Sequence, residues 1–107
     1  MINIDKHFYL IDLFELYKGL LTDKQCSYFE SSFFMDKTLS EIADDNNVSR
    51  TAIHNAIKNI ELELLNYEKI LKLYEKKQCR LKLYNLISND DIKNKLILIE
   101  ESKENEK

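Results

Sequence analysis

At 107 residues with 44% hydrophobic composition, the chain suits one domain with a real core and is too apolar for wholesale disorder. No proline and a single glycine, Gly19, leave too few turn formers for a strand-rich fold, so an all-α fold is expected. A net charge of −3 argues against indiscriminate DNA binding, and no run approaches the ~18 consecutive apolar residues of a membrane helix.

The amino-terminal stretch is apolar but interrupted by Asp5, Asp12 and Glu15, and it lacks the basic start and cleavage site of a signal peptide. A cytoplasmic location is therefore expected. The first helix is expected from about Asp5 to Leu20, with Phe8, Ile11, Phe14, Tyr17 and Leu21 as an inward stripe widened by Leu10 and Leu13. Thr22 and Gln25 form a capping box that opens a second helix to about Phe34, with Cys26, Phe29 and Phe33 on one face.

The segment Leu39 to Lys58, LSEIADDNNVSRTAIHNAIK, reads as a helix-turn-helix. Thr38 and Glu41 make another capping box, so the motif's first helix starts at about Leu39. Ile42 and Ala43 lie on its inner face, and Ala43 is small where the second helix crosses. Asn46-Asn47 supplies the turn, because Asn tolerates the left-handed backbone better than other non-glycine residues. Val48 is expected to plug the angle between the helices, and Ser49 to cap the second one. Ile53, Ala56 and Ile57 then carry its buried face. Ser49, Arg50, Thr51, His54, Asn55 and Lys58 remain as candidate nucleic-acid contacts, since these types donate to phosphates and base edges. A helical hairpin with a polar face is the bland alternative.

No stop signal follows Lys58: from Ile53 to about Ile87 there is neither proline nor glycine, so the motif's second helix is expected to continue through this stretch. Within it Ile57, Ile60, Leu64, Tyr67, Leu71 and Tyr74 step by three and four, an a/d-like packing seam suited to a homodimer or to internal packing. Lys69, Lys72, Lys76 and Arg80 share a face by the same spacing, and with Lys77 and Lys82 they offer a track for a phosphate backbone. Charge is uneven along the chain: residues 1–45 hold nine acids and four bases, whereas 69–82 hold six bases and one acid. Ser88 or Asn89 caps a last helix, Asp90 to about Glu101, and residues 102–107 form a polar, disordered tail. The division expected is 1–60 (amino-terminal helices and the motif at 38–60), then 61–101 as a helical extension that mediates dimerisation.

Nothing points to an enzyme. There is no phosphate loop, no H-E-x-x-H and no nucleophile motif. Cys26 and Cys79 lack metal-type spacing, so neither a metal nor a cofactor is expected. His7 is expected to be exposed, and His54 to act by hydrogen bonding.

With these segments in view, the chain resembles the YlxM-type helix-turn-helix proteins of Gram-positive bacteria and mollicutes. The resemblance runs from about Tyr9 to Ile87 through YLIDLFELYKGLLTDKQCSYFE, LSEIADDNNVSRTAIHNAIKNIELELLNYEKIL and LYEKKQCRLKLYNLI. Thr22 to Ile60 also resembles the fourth region of bacterial sigma factors. The resemblance implies an all-helical, wingless, dimer-prone helix-turn-helix domain with a long carboxy-terminal extension. It further implies an accessory or regulatory link to the signal recognition particle, through its RNA or its GTPase, because family genes commonly adjoin the gene for that GTPase. Two alternatives stand beside it: a dimeric transcription regulator reading a paired DNA site, and a protein-interaction adaptor that no longer binds nucleic acid.

Overall fold

The computed structural model describes residues 4–101, so the expected disordered tail lies outside the described residues. Six α-helices are present among the described residues: α1 (Ile4–Tyr17), α2 (Asp23–Phe33), α3 (Leu39–Asn46), α4 (Arg50–Leu71), α5 (Leu73–Tyr84) and α6 (Asp90–Glu101). They fall into two compact units that divide between Leu71 and Lys72.

In the first unit, α4 is the central strut, packing against α1, α2 and α3. Its side chains Ile53, Ile57, Ile60, Leu64 and Glu68 are buried at steps of four, three, four and four, one face of a helix. Leu10, Leu13, Phe14 and Tyr17 meet it from α1. The inward stripe of α1 is thus rotated from the expected one: Leu10 and Leu13 are its centre, and Phe8 is exposed. Both stripes are apolar, and only the packing partner chooses between them. The α-helix stops at Tyr17 and a 3-10 turn, Lys18–Leu20, leads out.

Between α1 and α2 the rings of Phe14 and Phe29 stack at 4.2 Å, Phe29 and Phe33 at 4.0 Å, and Phe33 and His7 at 4.9 Å between centroids. This ladder climbs from the core to the half-buried His7. Tyr17 donates a hydrogen bond of 2.6 Å to the buried carboxylate of Glu68, fastening the far end of α4 to α1. The Tyr67 hydroxyl lies 3.5 Å from the Leu20 carbonyl, which it can reach as a donor.

The single helix expected from Ile53 to Ile87 is interrupted. Lys72 takes a left-handed conformation, φ 56° and ψ 32°, which ends α4 and opens α5. The first unit therefore runs on past Ile60, where the boundary was expected, as far as Leu71. Glycine or asparagine would have announced such a break. Lysine does not, and its side chain makes no capping hydrogen bond there.

The second unit is a helical hairpin, α5 against α6. Glu100 joins the two, accepting from the Arg80 guanidinium (Nη2 to Oε1, 3.0 Å) and from the Tyr84 hydroxyl at 2.7 Å. Asn89 Oδ1 caps α6 by accepting from the Ile92 amide at 3.1 Å. No described residue of this hairpin is buried.

Candidate nucleic-acid interface

The helix-turn-helix is built as its sequence specifies. Thr38 Oγ1 accepts from the Glu41 amide at 3.1 Å, and Glu41 Oε1 accepts from the Thr38 amide at 2.8 Å. These bonds to Thr38 hold the Glu41 carboxyl below its ordinary range. Ile42 and Ala43 are buried against the core. Asn47 ends α3 in the left-handed region, φ 56° and ψ 43°, and the Val48 amide returns to the Ala43 carbonyl at 3.1 Å. With Asn47 N–H reaching toward the Asp44 carbonyl at 3.4 Å, this is the Schellman closure. Asn46 Nδ2 donates to the Ile42 carbonyl at 2.8 Å. Val48 is 38% exposed and serves the turn through its backbone.

Ser49 Oγ accepts from the Ala52 amide at 3.0 Å, so this hydroxyl is spent on the cap of α4. Arg50, Thr51, His54, Asn55 and Lys58 are all exposed on the first turns of α4. Thr51, Asn55 and Lys58 follow at steps of four and three, opposite Ile53, Ile57 and Ile60, and so form the outward line. The acids Glu41, Asp44 and Asp45 of α3 are exposed nearby. Lys37, just before α3, pairs with Asp45 at 2.7 Å, and that hydrogen bond raises the lysine's pKa. This pair across the start of the motif offsets one charge that would repel phosphate. Nothing in the local sequence pattern announced it.

The downstream basic residues are divided between the two units. Lys69 belongs to α4, Lys72 to the break, and Lys76 and Arg80 to α5. The shared helical phase that grouped them requires an unbroken helix. Arg80 is moreover committed to Glu100, whose hydrogen bond raises the pKa of the guanidinium. The residues are twenty apart in sequence, so no helical spacing could reveal the pair. Lys69, Lys72 and Lys76 are exposed.

The expected seam is likewise divided. Ile57, Ile60 and Leu64 are buried inside the first unit, and Tyr67 is half-buried with its ring 5.8 Å from that of Tyr17. Leu71 is exposed, and Tyr74 belongs to α5. The helices α1 and α2 have taken the place of a second chain along this stripe. Cys26 is half-buried; burial and then Glu30 and Asp23 push its thiol pKa up, and its Sγ lies 3.6 Å from the Lys18 carbonyl. Cys79 is exposed. Among the described residues no group of His, Cys, Asp and Glu is placed to hold a metal, and no helix is long and apolar enough to cross a membrane.

Comparison with known proteins agrees with this module. Residues 4–105 match the model of family UPF0122, described as "Putative helix-turn-helix protein, YlxM / p13 like". A UPF0122 protein of Ureaplasma urealyticum is 44% identical over 96 residues, covering 90% of this chain and 97% of that protein. A UPF0122 protein of Mycoplasma capricolum is 41% identical over 92 residues, covering 86% and 81%. One from Fusobacterium nucleatum is 44% identical over 84 residues, covering 78% and 82%. Match, identity and helical architecture coincide across nearly the whole length, and the chain belongs to the UPF0122 family of YlxM-like helix-turn-helix proteins.

Proposed function

We propose that the chain binds nucleic acid through the outward face of α4, with Thr51, Asn55 and Lys58 as its line of contact and Arg50 and His54 on its shoulders. The observation that carries this reading is the turn at Asn47 between two capped helices, which leaves the polar outward face at the start of α4 exposed while its other face packs in the core. Ser49 acts by fixing the helix start, which aims the amides of the first turn at a phosphate. Lys69, further along α4, adds charge that is not sequence-selective. Arg50→Ala with Lys58→Ala should weaken binding to duplex at least tenfold and reduce the salt slope by roughly two. Unchanged affinity and slope in this variant would sink the assignment.

The resemblance to YlxM-type proteins extends the reading to an accessory role in the signal recognition particle pathway. The telling comparison is a salt titration of the full-length protein against that particle's RNA, its GTPase and random duplex DNA. Preference for the RNA or the GTPase supports the accessory role. Selection of one near-palindromic DNA site supports a dimeric transcription regulator instead, for which two copies must set their α4 helices roughly 34 Å apart. Binding to the GTPase that survives Arg50→Ala with Lys58→Ala supports an adaptor.

Pairing of two copies belongs to the same proposal but moves to a new place. The hairpin exposes Leu83, Leu86, Ile92, Leu98 and Ile99 and buries no described side chain, which favours it over the Ile57–Tyr74 seam as the dimer contact.

A further inference from the structure

Overlapping the proposed line of nucleic-acid contact at Lys58 alone, α4 carries an outward stripe whose two leucines its own unit does not bury. Lys58, Leu62, Leu65 and Lys69 follow one another at steps of four, three and four, which keeps them within about 60° around the helix. The stripe lies opposite the buried Ile57, Ile60 and Leu64. Leu62 is 63% exposed and Leu65 37%, where an outward helix face ordinarily carries polar residues. A lysine closes each end, about 16 Å apart along the axis. Glu61 and Glu63 sit half-buried at the flanks, Glu63 accepting from Gln25 Nε2, and Glu68 is buried against Tyr17. The exposed stripe is therefore apolar at its centre and positive at both ends.

Three occupants can be weighed from that pattern. A second copy of the same stripe sets lysine against lysine, whether the helices run parallel or antiparallel. Nucleic acid finds charge at the ends and the exposed Asn59 and Asn66 beside the stripe, but the leucines at its centre donate to neither phosphate nor base edge. A helix with two apolar side chains three residues apart, and a carboxylate four residues beyond each, matches both the apolar centre and the charged ends.

We infer that the Lys58–Leu62–Leu65–Lys69 stripe of α4 is a docking surface for an acidic amphipathic helix of a protein partner. The leucines supply the apolar anchor, and the two lysines fix register and select for flanking carboxylates. The spacing reads the same from either end, so the charges do not choose the direction of the bound helix.

The test uses the full-length protein and a synthetic helical peptide carrying Glu-x-x-x-Leu-x-x-Leu-x-x-x-Glu, followed by fluorescence anisotropy. A matched peptide with lysine in place of both glutamates is the control. The wild type should bind the acidic peptide at least tenfold more tightly than the control. Leu62→Gln with Leu65→Gln, substitutions that keep helix propensity at exposed positions, should weaken binding at least tenfold while leaving circular dichroism and duplex affinity unchanged. Lys58→Gln with Lys69→Gln should weaken it several-fold and flatten its salt dependence. Equal binding of both peptides, or no effect of the leucine substitutions, overturns the inference. So does a leucine variant that keeps peptide binding but loses duplex binding, which assigns the stripe to nucleic acid. A leucine variant whose only change is its oligomeric state assigns it to a second copy.

Discussion

Asn47 holds a backbone conformation that costs an ordinary L-residue about 1–2 kcal/mol. Asn47→Ala should therefore destabilise the first unit by about 1 kcal/mol in urea unfolding, while Asn47→Gly should be close to neutral. An Ala variant as stable as the wild type would mean that the Schellman closure contributes little. Glu41 offers a second probe. Its folded-state pKa is depressed by bonds to Thr38, so its contribution is present above the unfolded carboxylate pKa and lost as pH falls through the folded one. Glu41→Gln should lower stability at neutral pH and flatten the acid limb of the stability profile, so that variant and wild type converge below roughly pH 4. Both residues were readable in the sequence, because capping boxes and left-handed asparagine act within four residues of the chain.

At the scale of elements, the buried pair between α1 and α4 is the joint to break first. Tyr17→Phe removes a hydrogen bond to the buried Glu68 carboxylate and should cost about 1–3 kcal/mol. Thermal unfolding of Tyr17→Phe and of the double variant with Glu68→Gln measures it, and equal loss in both marks the bond as the cause. Four of the six helices, α2, α3, α4 and α6, begin where the caps placed them, since a cap is local chemistry. What escaped was how far α4 continues and what it faces. Its apolar stripe is compatible with any partner helix, and the pattern alone cannot tell α1 and α2 from a second chain. The candidate site shows the same split. The polar face of α4 was legible from helical period, whereas the stripe from Lys69 to Arg80 depended on an unbroken helix and on a free Arg80.

For the molecule as a whole, the two units differ in what holds them together. The first buries Phe14, Phe29, Ile53, Ile60 and Leu64 almost completely. The hairpin is joined at Glu100 by Arg80 and Tyr84 and has an exposed apolar surface. Short helices without a buried face are marginal in water. Amide exchange should accordingly be slow in α1 to α4 and fast in α5 and α6 at low concentration, with protection of the hairpin rising as copies pair. On the proposed pairing through the hairpin, Ile92→Glu with Ile99→Glu should weaken self-association in sedimentation, with the amides of α4 protected as before. Association that survives these charges would place the contact elsewhere.

The left-handed Lys72 has a practical consequence. It is exposed, it opens the second of the two compact units, and lysine is the residue after which trypsin cuts. Loops that open locally are the preferred sites of nicking. Brief digestion should therefore sever the chain at this joint before it reaches the lysines within α4. The fragment ending there would retain the complete helix-turn-helix and α4, a natural minimal form for asking what each half contributes.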